Sequence, residues 1–130
     1  MKSILFISGV CVLLLSSCYK DKYEELYPAI GLSTASCDTT AVPSFSTDIM
    51  PILNTSCGTT DNSCHSASAT SGTNLTTWAG VKISAHNGSL VGDITFDPSY
   101  NPMPKGASTK IDNCSINKII KWVNSGYPNN

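Results

Sequence analysis

Apolar positions in this chain come in short groups separated by long polar stretches. The clearest group recurs at intervals of three and four residues and forms one helical stripe: Ile116, Ile119, Ile120 and Val123. Asp112 precedes the stripe as an N-cap, Gly126 follows it as a C-terminal stop, and Trp122 lies beside it. This pattern predicts a helix over Asn113 to Ser125 that packs across the first helix of the domain.

That first helix is predicted within Ser44 to Asn54. Ile49, Ile52 and Leu53 share one helical face, and Pro51 suits the first turn. The side chains that offer oxygens for the N-cap are Ser46, Thr47 and Asp48.

Two more helices are predicted in the middle of the chain. One points three apolar side chains inward, those of Leu75, Trp78 and Val81, and is capped by Thr76 or Thr77. Asn87-Gly88 ends it, and a short helix over Ser89 to Thr95 follows. The whole pattern predicts an all-α fold of three to four short helices with long loops.

Candidate chemistry lies between the first two helices, at Cys57 and the pair Cys64-His65. Two thiols followed directly by an imidazole are the residue order that attaches a c-type haem, the histidine becoming an iron ligand. The usual spacing is C-x-x-C-H, whereas here the polar insert Gly58 to Ser63 separates the thiols and must loop outward. The alternative is a Cys57–Cys64 disulfide beside an ordinary exposed histidine.

A second candidate ligand lies in the stretch Asp97 to Gly106, which has neither helical nor strand periodicity. Pro102 and Pro104 flank Met103 and hold it extended. A methionine in a loop usually fills a gap. One fixed between prolines downstream of a Cys-His site is better explained as the second axial ligand, with His86 as the alternative.

The N-terminal stretch, Met1 to Ser17, has the pattern of a signal peptide: Lys2, then an apolar run too short to span a membrane. The run ends in Leu15-Ser16-Ser17-Cys18, which resembles the lipobox of bacterial lipoproteins, so Cys18 is the expected lipidation site. The alternative is a plain secretory signal. Residues 18–44 then form a tether, and the protein is expected in the cell envelope as an outer-membrane lipoprotein, periplasm-facing or surface-exposed.

Six cysteines occur in the chain. Signal removal takes Cys11 and lipidation takes Cys18. If the two thiols of the haem motif carry haem, Cys37 and Cys114 remain to form a disulfide in an exported, oxidising compartment.

Composition narrows the function further. The chain has 130 residues, a formal net charge of −1 and only 13% charged residues, so no nucleic-acid partner is expected. No Ser/His/Asp set, phosphate loop or paired carboxylates suggests an enzyme. One domain of this size usually needs a disulfide, a metal or a cofactor to be stable.

Together, these features resemble a class I cytochrome c domain of the small lipoprotein type. The resemblance covers residues 45–130 and rests on the helix before Cys57, the Cys64-His65 pair, the Pro-Met-Pro loop and the terminal Trp helix. It implies one covalent haem c at the two thiols, iron ligated by His65 and Met103, and single-electron transfer to a redox protein partner. The alternative function is a haem-free binding or structural lipoprotein with a Cys57–Cys64 disulfide.

Overall fold

The computed structural model describes residues 37–60, 64–68 and 71–130, and in these ranges it contains helices and no strand. The helical elements are a π-helical segment, Phe45–Ile49, continued directly by α1, Met50–Ser56, then α2, Trp78–His86, α3, Ser89–Thr95, and α4, Asn113–Asn124. This confirms the predicted all-α class. None of these helices is long and apolar enough to cross a membrane. The predicted signal peptide, the lipidation site Cys18 and tether residues 18–36 lie outside the described residues.

The first helix occupies the predicted segment and continues to Ser56, but its N-cap lies earlier than predicted. Its N-cap is Ser44, whose N–H donates to Asp48 Oδ2 at 2.9 Å while its Oγ accepts from Thr47 N at 3.4 Å. The predicted N-cap within residues 46–48 was therefore wrong. The reason is the wider π-helical turn, which adds a turn of helix ahead of Pro51, the residue that occupies the first turn of α1 as predicted.

The three later helices match their predicted positions within a few residues. Thr77 caps α2 by accepting from Gly80 N at 3.2 Å, and Asp112 caps α4 by accepting from Ser115 N at 2.9 Å. α3 spans the predicted residues 89–95. Caps and periodicity are local signals, which is why the sequence predicts these bounds.

The hydrophobic core is centred where the π-helical segment packs against α4. The rings of Phe45 and Trp122 lie 5.6 Å apart, and Ile49 and Ile119 are fully buried beside them. Trp122 Nε1 donates to Pro128 O at 2.9 Å, so the one polar atom of the buried indole is satisfied. The predicted contact between the first and last helices is confirmed.

The described start of the chain is joined to this core. Cys37 and Cys114 form a disulfide with their Cα atoms 5.4 Å apart, the pair expected from the sequence. Pro43 is buried and Ser44 caps the first helix. Residues 37–44, the described part of the predicted tether, are therefore attached at both ends to the helical domain.

The C-terminal ends of α3 and α4 share one geometry with different residues. Each closes with a backbone bond spanning five residues, Asp97 N to Gly92 O and Tyr127 N to Trp122 O, both 3.0 Å. The left-handed position belongs to Gly126 in α4 (φ 84°) and to Phe96 in α3 (φ 57°). A bulky residue tolerates this region poorly, so α3 ends under backbone strain just where it leads into the Met103 loop.

Candidate functional site

A cleft between α1, α3 and two loops contains the side chains that the sequence singled out. It consists of two cavities of about 320 and 460 Å³, a size typical of small-molecule and cofactor sites. Four residues line both cavities: Cys57, His65, Ser71 and Met103. The larger cavity continues to Cys64 and Lys105, and the smaller one continues along α3 to Leu90 and Asp93.

Backbone hydrogen bonds on both sides fix His65 in the cleft. Its N–H donates to Gly58 O at 2.8 Å, and its carbonyl accepts from Leu75 N at 3.0 Å. Its ring Nδ1 lies 3.0 Å from Thr73 O. Because a carbonyl oxygen only accepts, Nδ1 carries a proton, which leaves Nε2 as the ring nitrogen available to a metal.

The hydrogen bond between His65 N and Gly58 O also explains how the two thiols reach one cavity despite their long spacing in sequence. Gly58 takes a positive φ of 61° and turns the chain immediately after Cys57. The bond holds His65, and with it Cys64, at the end of α1. Both thiols consequently line the larger cavity, although six residues separate them in sequence.

The two thiols of the cleft differ in environment. Cys57 ends α1, where its N–H donates to Leu53 O at 2.8 Å, and it packs against the core; burial raises the pKa of its thiol to about 11. Cys64 is exposed. Both are free thiols, so the structure does not contain the alternative Cys57–Cys64 disulfide. With its raised pKa, Cys57 remains a neutral thiol at neutral pH, which disfavours a role as a thiolate ligand of a metal ion.

Met103 lies in the loop between α3 and α4 and is held to α3. Its N–H donates to Asp93 O at 3.0 Å, and two residues earlier Asn101 N donates to Asp93 Oδ1 at 3.0 Å. Tyr100 packs so closely on Gly92 that a Cβ there would lie 2.2 Å from its ring. These contacts place the Met103 loop along the same cleft as His65.

Asp93 is the one charged group on the α3 wall of the smaller cavity. Burial raises the pKa of its carboxyl, against smaller lowering effects from the Asn101 N–H and the charge of His65. Sequence reasoning did not single out Asp93, because an acidic residue in a short helix is ordinarily a solvated side chain. Its side chain accepts from Asn101 N, eight residues further along the chain, and no local sequence pattern indicates that contact.

His86 and Trp78, at the two ends of α2, lie away from the cleft. His86, the alternative iron ligand, is exposed, with Nδ1 3.0 Å from Tyr127 OH, and it lines neither cavity. Trp78 donates from Nε1 to Tyr127 O at 2.9 Å and packs against the core. The structure therefore brings His65 together with Met103, not with His86.

The donors of the cleft suit a haem better than a bare metal ion. Among residues 37–60, 64–68 and 71–130, no group of three or more His, Cys, Asp or Glu side chains is placed to hold an ion. The cleft instead offers one imidazole and one thioether, the pair that fills two axial positions of a haem iron, with two thiols beside them. These residues fit the cofactor that the sequence predicts.

Comparison with protein-family models, with curated proteins and with solved structures finds no match to this chain.

Proposed function

We propose that this protein is a membrane-anchored monohaem c-type cytochrome with a cytochrome c-like fold, which carries single electrons in the cell envelope. One observation carries the proposal: Cys57, Cys64, His65 and Met103, from three separate stretches of the chain, line one cleft. These stretches are far apart in sequence, and the fold brings one imidazole, one thioether and two free thiols together at this cleft.

Each of these residues has a defined role in the proposal. Nε2 of His65 would ligate the iron, because its other ring nitrogen is bound to Thr73 O. The sulfur of Met103 would be the second protein ligand. Cys57 and Cys64 form the thioethers, so the cofactor is haem c, which when bound supplies a one-electron iron couple.

The choice of ligands favours an electron carrier over an enzyme. With both axial positions taken by protein side chains, no position stays open for a substrate. A thioether is a soft ligand that favours the reduced iron, so Met103 raises the reduction potential relative to a second imidazole. The partner is then another redox protein. The lipid anchor at Cys18, which rests on the sequence, keeps the carrier at the outer membrane.

The test is to express the full chain with a cytochrome maturation system and record its spectrum. The purified protein should be red, should keep its haem under denaturing conditions, and should give a thioether haemochrome band. His65→Ala should yield little stable holoprotein, whereas the matched control His86→Ala should keep wild-type haem content, since His86 lies at Tyr127. A colourless wild-type protein would refute the proposal and favour the haem-free lipoprotein.

The assignment of the second ligand has its own variants. Met103→Ala should open the site to added ligands, lower the potential and abolish the weak sulfur-to-iron band near 695 nm that the family resemblance implies. Met103→His should restore six-coordination at a lower potential. Unchanged spectra and potential in Met103→Ala would assign the ligand elsewhere, and His86 would then be the next residue to mutate.

A further inference from the structure

We infer that Asp93 is the positioning residue for Met103: it holds the methionine segment against α3 at two points, and this sets how firmly the sulfur stays in the cleft. The inference rests on the proposed function, since it takes Met103 as the second iron ligand. It adds a residue that neither the sequence motifs nor the donor set contains.

The geometry is a double attachment by a single residue. Asn101 N donates to the Asp93 carboxylate at 3.0 Å, and Met103 N donates to the Asp93 backbone carbonyl at 3.0 Å. Pro102, which lies between them, has no N–H. Both N–H groups of the segment Asn101–Met103 are therefore bound to one residue of α3.

The neighbouring contacts end before Met103 or stay within its loop. Upstream, Tyr100 rests on Gly92, and Tyr100 N donates to Asp97 O at 2.9 Å. Downstream, Ala107 N donates to Pro104 O at 3.0 Å, a bond inside the loop that does not reach α3. The two bonds to Asp93 are thus the hydrogen bonds to a helix that lie nearest to Met103 along the loop.

The position of Asp93 in the cleft also supports its role in positioning Met103. Asp93 lines the smaller cavity together with His65 and Met103, so the attachment lies in the wall of the site it controls. The backbone contact remains whatever side chain is present, whereas the contact to Asn101 needs a side-chain oxygen. An Asn at position 93 keeps such an oxygen, and an Ala or Ser does not keep it at that position.

The experiment measures how readily an added ligand replaces Met103 in the ferric holoprotein. Imidazole is titrated into wild type, Asp93→Ala and Asp93→Asn, and binding is followed by absorbance. Asp93→Ala should bind imidazole about tenfold more tightly, the change expected for losing one hydrogen bond to a charged acceptor. Asp93→Asn should stay within about threefold of wild type, because its amide oxygen accepts from Asn101 N.

Asp97→Ala is the matched control. It removes a carboxylate of equal charge in the adjacent turn, where Asp97 Oδ1 accepts from Ser99 N at 2.8 Å. Its imidazole affinity should stay near that of wild type. An increase equal to that of Asp93→Ala would show a general loosening of the loop and would overturn the assignment.

Amide hydrogen exchange provides a readout that does not depend on the iron. The Asn101 amide should exchange about tenfold faster in Asp93→Ala than in wild type or Asp93→Asn, while amides in the middle of α4 stay unchanged. If Asp93→Ala does not fold, Asp93→Ser removes the same acceptor. Wild-type exchange and wild-type imidazole affinity in the variant lacking the acceptor would overturn the inference.

The two proposals fail in different ways. A wild-type chain without covalent haem refutes the electron-carrier function, and amide exchange in the full chain then shows only whether the Asp93 contact exists. If the wild-type protein carries haem and substitutions at Asp93 leave the imidazole affinity unchanged, the electron-carrier function stands and the positioning role of Asp93 is refuted.

Discussion

The packed side and the cleft side of this small domain are built in opposite ways. On the packed side, the π-helical segment and α4 meet through fully buried side chains such as Ile49 and Trp122. On the cleft side, His65 and Met103 are half-buried loop residues. The difference indicates that apolar burial supplies the stability of the fold, while the candidate chemistry sits on loops that this scaffold positions.

The two candidate ligands also differ in how they are held. His65 is bound through its own N–H, carbonyl and ring to residues close to it in sequence: Gly58, Thr73 and Leu75. Met103 depends on α3, through Asp93 and through the contact of Tyr100 with Gly92. Substitutions on the packed side should therefore change stability, and substitutions in α3 should change the Met103 side of the cleft first.

The largest loss of stability is expected from the double change Cys37→Ser and Cys114→Ser. The bridge joins residues 77 positions apart, and the chain-entropy model gives about 4–5 kcal/mol for a loop of this length, as an upper figure. Denaturant unfolding should show this loss, whereas the haem spectrum of the folded protein should stay unchanged. A changed spectrum with little loss of stability would reverse the roles assigned to the two sides.

Trp122→Ala should be nearly as damaging. The indole is fully buried against Phe45, and removing a buried tryptophan side chain costs about 3–5 kcal/mol. Trp78→Ala is the control on α2, and because that side chain is only partly buried, its loss of stability should be clearly smaller. Equal losses in denaturant unfolding would show that the core is not centred on α4.

Gly92→Ala is the sharpest test of the cleft side. The added Cβ would lie 2.2 Å from the Tyr100 ring, so the ring and its loop must move, at a cost of about 1–3 kcal/mol. In the holoprotein, the Met103 signature should weaken at the same time. Adding Tyr100→Ala removes the ring that the new Cβ would meet, so Gly92→Ala should cost much less stability in that background than in wild type. A double-mutant cycle measures this difference. Strictly additive losses would place the effect outside the Gly92–Tyr100 contact.

The smallest effect concerns two carboxylates with opposite pKa shifts. The Lys118 ammonium, 2.8 Å from Asp48, and the Ser44 N–H lower the pKa of Asp48 on the packed side. Its lowered pKa contributes stability that is present above the ordinary pKa and lost as the pH falls through the folded-state value. Asp48→Asn should therefore cost less than about 1 kcal/mol at pH 7, since the pair is partly exposed, and nothing in strong acid.

Asp93 should show the reverse sign. Because burial raises its pKa, the folded state prefers the protonated carboxyl, and ionisation above the ordinary pKa costs stability. Asp93→Asn removes that cost and should not lower stability at pH 7. At pH 7, Asp48→Asn should be less stable than wild type, whereas Asp93→Asn should be at least as stable as wild type. At pH 3, the unfolding curves of both variants should lie closer to that of wild type. Parallel behaviour would contradict the assigned environments.

Most of the helical fold could be predicted from the sequence. Thr77 and Asp112 indicate the starts of α2 and α4, because an N-cap side chain bonds to an N–H group in the first turn of its own helix. The N-cap role of Ser44 was missed, since a π-helical turn leaves no distinct pattern of side chains. The left-handed residue Phe96 was missed for a related reason: sequence signals for that conformation point to Gly or Asn.

The candidate site divides in the same way. The sequence by itself indicated the candidate donors: Cys57, Cys64 and His65 through the order of thiols and imidazole in one short stretch, and Met103 through the prolines on either side of it. Only the tertiary structure decided that they share a cleft, that His86 lies apart from it and that Asp93 holds the Met103 loop. Those outcomes depend on how helices far apart in sequence pack, and a contact between distant residues leaves no mark in the local pattern of either one.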